Sequence, residues 1–273
     1  MNNTNALIYS KKLKANKALG QNFILDENLT HRIAKSAGDL TDFDILEIGP
    51  GLGSLTRSII KMGARRVVCV EIDRRFKKPL EELKAQYPEQ LIILYEDILS
   101  FDVKPFLRPP VKVISNLPYN IATQTLINFL NTKPWPPYWN SLTLMFQNEV
   151  ANRIVATPGS KKYGRLSIIS QYRSNAELIL NVPASAFYPV PKVDSAVVRL
   201  SALQEPKFKS DRQKLERILR IAFNSRRKML RQSLKNVDNN IVKMLEELDI
   251  DPKSRPEEIS IEKFCELANI IEF

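Results

Sequence analysis

Asp44-Ile-Leu-Glu-Ile-Gly-Pro-Gly-Leu-Gly53 is the stretch that decides the fold. A short apolar run from Asp44 to Ile48 meets glycines at 49, 51 and 53. The chain from about Ser54 to Met62 then has helical spacing, with Gly63 suited to its C-terminal cap. Strand, glycine turn and helix in that order open a doubly wound sheet, and the turn lies at the strand end where such sheets bind nucleosides. The spacing is not the dinucleotide fingerprint G-x-G-x-x-G, and an acid, Glu47, stands two residues before the first glycine.

Working outward, Asp26 to Gly38 reads as a helix: Asp26 caps it, Leu29, Ile33 and Ala37 share a face, and Gly38 ends it. Downstream come a strand at Arg66–Glu71, a helix from about Arg75 to Tyr87, and strands at Leu91–Tyr95 and Val111–Ser115. Strands of nearly continuous Val, Ile and Leu separated by helices indicate a parallel sheet covered on both faces. Leu142–Phe146 is a further strand, followed by a helix from Asn148 to Val155. Ala176–Val182 and Ser195–Leu200 are strands joined by a proline-rich connection and suited to pair as an antiparallel edge. Near Leu203–Lys207 the chain turns charged and strand-poor, with helical spacing at Glu216–Phe223 and Ile241–Leu248. The expected fold class is α/β: a Rossmann-like domain over residues 1–204 and a small all-helical, basic domain over 205–273.

A chain of 273 residues with 44% hydrophobic content buries a real core, which excludes disorder and a collagen-like fibre. Cys69, Cys265 and the single His31 make neither a disulfide framework nor a structural zinc site, so no metal is expected. No run of 18 apolar residues is present, and Met1–Ala6 lacks the layout of a signal peptide, so a soluble, cytoplasmic protein is expected. Charge is more pointed. Lys11, Lys12, Lys14 and Lys17 stand with no acid among the first 20 residues, and residues 205–235 hold eleven bases against three acids. The two patches carry +4 and +8, which leaves the rest of the chain at −1 within the net +11, and basic patches on a near-neutral body suit a polyanion.

The chemistry concentrates at strand ends. Glu71 follows Gly49 by 22 residues, where a carboxylate binds both ribose hydroxyls. Asp97, after the next strand, is placed to accept a hydrogen bond from an adenine amine. A ribose carboxylate without a phosphate cradle matches a phosphate-free nucleoside such as S-adenosylmethionine. Asn116-Leu-Pro-Tyr119 comes directly after the strand that ends at Ser115. An aromatic amine such as adenine N6 is a poor nucleophile because its lone pair is delocalised into the ring. Two acceptors on its hydrogens, the Asn116 side-chain oxygen and the Leu117 or Pro118 carbonyl, favour a pyramidal nitrogen, and Tyr119 offers a face for stacking. With an activated methyl donor, positioning and electrostatics carry much of the catalysis, so no strong general base is required.

The ordered set of motifs resembles the ribosomal RNA small-subunit adenine dimethyltransferases of the KsgA/RsmA type. It runs from Lys17-Ala-Leu-Gly-Gln-Asn-Phe-Ile24 through Glu47–Gly53, Glu71-Ile-Asp73, Glu96-Asp97 and Asn116–Tyr119. Gln147–Arg153, Tyr163–Ser167, Phe187–Ser195 and Phe223–Leu230 continue it, so the likeness covers almost the whole chain. Ile24 stands where the family more often has Leu. The resemblance implies an S-adenosylmethionine-dependent methyltransferase that puts two methyl groups on N6 of each of two adjacent adenosines, in a hairpin near the 3′ end of small-subunit rRNA within a pre-30S particle. It carries cofactor contacts to Asn22, Ile24, Gly49, Glu71, Asp97 and Asn116, and the target-base site to Asn116, Pro118 and Tyr119.

Arg226, Arg227 and Lys228, inside the basic segment, are expected to touch phosphate. Tyr163 and Phe187 are weaker candidates for flanking the base. Gln147, Glu149 and Arg153 are read as a structural polar network, Pro134–Trp139 as either an RNA-stacking loop or a cap on the sheet, and His31 as a surface helix residue. A monomer is expected. The competing readings are a large-subunit rRNA adenine dimethylase conferring antibiotic resistance, which shares the glycine turn and the Asn-x-Pro-aromatic motif, and a non-catalytic RNA-binding assembly factor. A DNA methylase fits least, since no sizeable target-recognition domain follows residue 205.

Overall fold

Asp44–Ile48 lies inside a seven-stranded sheet of the computed structural model, which describes residues 15, 16 and 19–272. Lys11, Lys12, Lys14 and Lys17, the expected N-terminal basic patch, fall outside the described residues. The strands are β1 (Phe23–Ile24), β2 (Asp44–Ile48), β3 (Arg66–Val70), β4 (Leu91–Leu94), β5 (Val111–Ser115), β6 (Ser141–Gln147), β7 (Ser174–Val182), β8 (Phe187–Tyr188) and β9 (Ser195–Ala202). The helices are α1 (Glu27–Ser36), α2 (Ser54–Lys61), α3 (Lys77–Lys84), α4 (Tyr119–Leu130), α5 (Asn148–Ile154), α6 (Arg165–Arg173), α7 (Arg212–Asn224), α8 (Leu230–Ser233), α9 (Ile241–Glu247) and α10 (Ile261–Ile270).

The sheet order is β4-β3-β2-β5-β6-β9-β7, parallel from β4 through β6, with β9 antiparallel to β6. From β2 the chain winds to β3 and β4 on one side, then returns to β5 and β6 on the other. The switch point therefore lies between β2 and β5, and the crevice outside it is where α/β sheets take ligands. All of β2 is buried, as expected of a strand covered on both faces. That includes the Asp44 carboxylate, which is held by Arg65 at 2.8 Å, by Arg66, and by the Arg108 N–H at 2.8 Å. Burial opposes its ionisation, yet these partners keep its pKa below the ordinary value. Asp26 caps α1 by accepting the Asn28 N–H at 2.8 Å, and α1 packs on α2 with the Thr30 and Ser58 hydroxyls 2.8 Å apart.

The chain divides into two compact units. One closes at Ala151 and regains the chain over Glu177–Ala202; the other holds Asn152–Ala176 and everything from Leu203 onward. The sequence alone places the division near 205, but residues 152–176 join the helical unit. The physical reason is α6: Ile168 and Tyr172 are buried in one core with Leu215, Ile218 and Leu219 of α7 and with Phe264 and Leu267 of α10. Helix α6 is not legible from apolar period, because Ser167 and Ser170 occupy its buried face and blunt the contrast. Helix α4 falls in a stretch given no element from sequence, whereas α8 and α10 are further helices of the segment expected to be all-helical.

Candidate active site

Gly53 has φ +72° and precedes α2, and a Cβ there would lie 2.7 Å from Leu83 Cδ2, so glycine is required at this position. All three glycine N–H groups of the turn are already bonded within the chain. Gly49 donates to the Val70 carbonyl at 2.8 Å, Gly51 to Glu71 Oε2 at 3.0 Å and Gly53 to the Pro50 carbonyl at 2.8 Å. Loops that cradle phosphate keep such donors open. This turn instead presents backbone at close approach and aims a carboxylate.

That carboxylate is Glu71, one residue past β3 and only 4% exposed. Its second oxygen, Oε1, accepts the Asp73 N–H at 2.9 Å. Burial pushes the Glu71 pKa up to about 6, against the lowering effect of the Asp73 and Gly51 N–H groups. Beneath it, Glu47 is buried, accepts a hydrogen bond from Cys69 Sγ at 3.7 Å, and is pushed up to about 7 by desolvation. Asp97 Oδ1 accepts the Leu99 N–H at 2.9 Å. Ile72 and Leu99, beside these acids, are among the few large apolar side chains left exposed, and both line the cavity.

Across the switch point, Ser115 Oγ donates to the Ile48 carbonyl at 2.6 Å and ties the end of β5 to the end of β2. Asn116 Nδ2 donates to the Asn22 carbonyl at 3.1 Å, which leaves Asn116 Oδ1 as the acceptor end of the amide. Pro118 caps α4, and its carbonyl already accepts the Ile121 and Ala122 N–H groups, both at 3.1 Å. Of the two carbonyls the sequence leaves open, Leu117's is therefore the one outside the helix cap. Tyr119 is the first residue of α4, and its hydroxyl lies 2.6 Å from Ser195 Oγ. Burial raises the Tyr119 pKa, so the phenol stays protonated near neutral pH. A Cβ on Gly49 would come within 3.5 Å of Pro118 Cδ, so the glycine turn and the Asn116–Tyr119 segment abut.

One cavity brings these groups together. Asn22, Ile24, Gly49, Glu71, Asp97, Asn116, Pro118 and Tyr119 all line it. Tyr163 and Phe187 do not. Tyr163 is 0% exposed in the core of the helical unit, and Phe187 is 3% exposed, paired with Ile24 across β1–β8 and packed in the sheet core. Trp139 is likewise interior, edge-on to Phe129 and Trp135, and anchors a Pro134–Trp139 stretch whose Pro134 and Pro136 stay exposed. His31 is exposed on α1. In the helical unit, Arg227 and Lys228 are exposed, whereas Arg226 donates to the Lys161 carbonyl and stands 3.7 Å from Glu257. Sequence reading missed Ser195 as the anchor of Tyr119. Only the register that opposes it to Gln147 places it there. Among the described residues no group of three or more His, Cys, Asp or Glu is arranged to hold a metal, and no helix is long and apolar enough to cross a membrane.

A parallel sheet, a cavity at its switch point and an Asn-x-Pro-Tyr edge belong to the class of α/β methyltransferases that use S-adenosylmethionine. Within that class, the chain belongs to the ribosomal RNA adenine dimethylase family, whose model matches residues 12–272. It is 51% identical over 266 residues to "Ribosomal RNA small subunit methyltransferase A" of Ruegeria sp. (strain TM1040), across 97% of this chain and 95% of that one. A protein of the same name from Paracoccus denitrificans (strain Pd 1222) is 49% identical, across 94% and 91%. Among solved structures, a dimethyladenosine transferase from Plasmodium falciparum shares the fold at a TM-score of 0.74 and 23% identity, over 89% of this chain and 94% of that one. The 23S rRNA methyltransferase ErmE gives 0.69 and 26%, over 90% and 98%.

Proposed function

We propose that this chain dimethylates N6 of two adjacent adenosines in a hairpin near the 3′ end of small-subunit rRNA, with S-adenosylmethionine as methyl donor, during assembly of a pre-30S particle. The observation that carries the reading is the Asn116 amide, whose nitrogen is committed to the Asn22 carbonyl and whose oxygen is left for the amine hydrogen of a base. The residues fit the cofactor: the glycine N–H groups are bonded within the chain rather than offered to a phosphate, and the buried Glu71 carboxylate is oriented by two backbone donors.

When bound, S-adenosylmethionine supplies a methyl group already activated on a sulfonium. The chain supplies placement. Glu71 would accept the ribose hydroxyls, Asp97 would accept a hydrogen bond from the adenine amine of the cofactor, and the exposed faces of Ile72 and Leu99 would supply apolar surface beside them. Asn22, Ile24 and Gly49 close the cavity around it. Asn116 Oδ1 and the Leu117 carbonyl would each accept one hydrogen of the unmethylated target N6, and one of them the single hydrogen left on the monomethylated N6, turning the lone pair out of the ring plane; the proton displaced at each transfer leaves to solvent. Tyr119 stacks on the target base. Pro118 sets the angle at which Tyr119 enters α4. Arg226, Arg227 and Lys228 hold rRNA phosphates, with Arg226 also bracing the helical unit. The protein acts as a cytoplasmic monomer.

Identity near 50% to small-subunit enzymes, against 26% to a 23S rRNA enzyme, favours the small-subunit substrate over the resistance reading. The test is labelled methyl transfer into unmethylated small subunits, mapped by nuclease digestion, beside mature large subunits and an Asn116→Ala protein. Dimethyladenosine at two adjacent small-subunit positions, absent with the variant, is the expected result. Label in large-subunit RNA, or subunit binding with no label at all, would overturn it.

A further inference from the structure

Gln21 is bonded at both ends of its amide. Nε2 donates to Asp73 Oδ2 at 2.7 Å, while Oε1 accepts the Asn16 N–H at 2.9 Å and the Arg75 guanidinium at 3.3 Å. Arg75 also donates through Nε to both Asp73 oxygens, at 2.9 and 3.1 Å. Asp73 is only 7% exposed, and a carboxylate that buried is tolerated only where donors surround it. Each bond has one donor and one acceptor with no slack, so the arrangement is specific in polarity as well as in shape.

The two ends of this network reach both halves of the cavity. The Asp73 N–H donates to Glu71 Oε1 at 2.9 Å, on the side of the ribose carboxylate. One residue past Gln21, the Asn22 carbonyl accepts Asn116 Nδ2 at 3.1 Å, on the side of the base. The Asn22 side chain is itself tied back to the Gly20 carbonyl at 3.2 Å. Without a fixed Asn22 carbonyl, nothing among the described contacts holds the Asn116 nitrogen. An amide turned end for end would then present donors to the N–H groups of the target amine.

We infer that Gln21, Asp73 and Arg75 are positioning residues: a clasp that holds Leu19–Ile24 on the cavity and, through the Asn22 carbonyl, sets the Asn116 amide with its oxygen toward the target amine. The inference rests on the role proposed above for Asn116. It separates from ordinary bracing because the clasp acts on turnover after both substrates are bound, and because its polarity can be inverted. Gln21→Glu opposes a second carboxylate to Asp73, and Asp73→Asn opposes one amide NH₂ to another. In the double variant Gln21→Glu/Asp73→Asn the introduced amide nitrogen at 73 donates to the introduced carboxylate at 21; Arg75 Nε keeps the remaining oxygen of residue 73, while Arg75 Nη2, which in the wild type donates to Asp73 Oδ2 at 2.5 Å, turns to the carboxylate at 21.

The experiment measures hydrogen exchange of the 19–24 amides in the free protein, together with kcat and KM for methyl transfer to unmethylated small subunits, for wild type, both single variants and the double. Melting temperatures are taken alongside. Each single variant is expected to speed exchange over 19–24 and to lower kcat about tenfold, the scale of one charged hydrogen bond, with KM for rRNA within about twofold. The double is expected to recover both within about threefold. Single variants with wild-type kcat, or a double with wild-type melting temperature and no recovery, overturn the clasp. A wild-type protein that transfers no methyl overturns the reading of the site instead, and this inference with it.

Discussion

The Tyr119 hydroxyl and Ser195 Oγ stand 2.6 Å apart, joining the first residue of α4 to the first residue of β9. Ser195 is fully buried, so each hydroxyl is the other's means of avoiding an unsatisfied polar group. The bond fixes the ring plane on which a base would stack. Ser195→Ala is therefore expected to lower kcat by roughly three- to tenfold while leaving cofactor affinity unchanged, in line with ~1 kcal/mol for one hydrogen bond. Tyr119→Phe should match it, and the double variant should be no worse than either single. Tyr119→Ala, which removes the stacking face itself, should cost about 1–3 kcal/mol more. Steady-state kinetics with isothermal titration of the cofactor checks all four proteins.

Asn116→Asp replaces the nitrogen that donates to the Asn22 carbonyl with an oxygen, so two acceptors face each other at the present 3.1 Å. Turnover is expected to fall by about 10²-fold or more, the scale seen when one preorganised contact to a reacting group is removed. The melting temperature should change little. Single-turnover methyl transfer measures this without interference from product release.

Glu71 carries a pKa raised to about 6 by burial, and in the cofactor role proposed for it only the ionised form would accept both ribose hydroxyls. Affinity for S-adenosylmethionine should therefore rise as pH increases through 6, and be about tenfold weaker at pH 5 than at pH 8. Glu71→Gln should bind weakly with no such pH dependence. Titration calorimetry across that range tests both, and equal wild-type affinity at pH 5 and 8 would remove Glu71 from the cofactor site.

Glu47 is shifted in the same direction, and there the consequence is for stability. Its folded pKa, near 7, lies above the 4.5 of the free side chain, so between those values the folded chain holds a proton that the unfolded chain has released. Stability accordingly falls as pH rises through this window, by on the order of 3 kcal/mol for this group. Glu47→Gln cannot ionise. It should raise the melting temperature at pH 8 and flatten the dependence between pH 5 and 8 in differential scanning calorimetry.

Arg227 and Lys228 project from the helical unit exposed, while Arg226 is engaged by the Lys161 carbonyl and Glu257. Arg227→Ala/Lys228→Ala should weaken rRNA binding, reduce the slope of log K against log salt by about 2, and leave the fold intact. Arg226→Ala should add a loss of thermal stability. Filter binding at several salt concentrations separates the two effects.

The doubly wound sheet was legible from residues alone because parallel strands buried on both faces must be nearly continuous in apolar side chains, as Asp44–Ile48, Arg66–Val70 and Val111–Ser115 are. Glycines at fixed offsets marked the turn, and polar residues at successive strand ends marked the cavity, because strand order in such folds brings those ends to one edge. Helix α6 stayed hidden because buried serines broke its period. Its burial with α7 and α10 moved residues 152–176 into the helical unit.

The sequence by itself determined the fold class, the glycine turn, the acids at the strand ends and the Asn-Leu-Pro-Tyr edge, since each depends on local spacing. What only the tertiary structure decided is how those groups are satisfied. It showed that the Gly49, Gly51 and Gly53 donors are already bonded, that the Pro118 carbonyl belongs to the helix cap, and that Asn116 is turned by Asn22. It also placed Ser195 on Tyr119 and Gln21 on Asp73, and drew Tyr163 and Phe187 into the interior. Those outcomes follow from hydrogen bonds and packing between residues far apart in the chain, and no spacing along the sequence encodes which donor meets which acceptor.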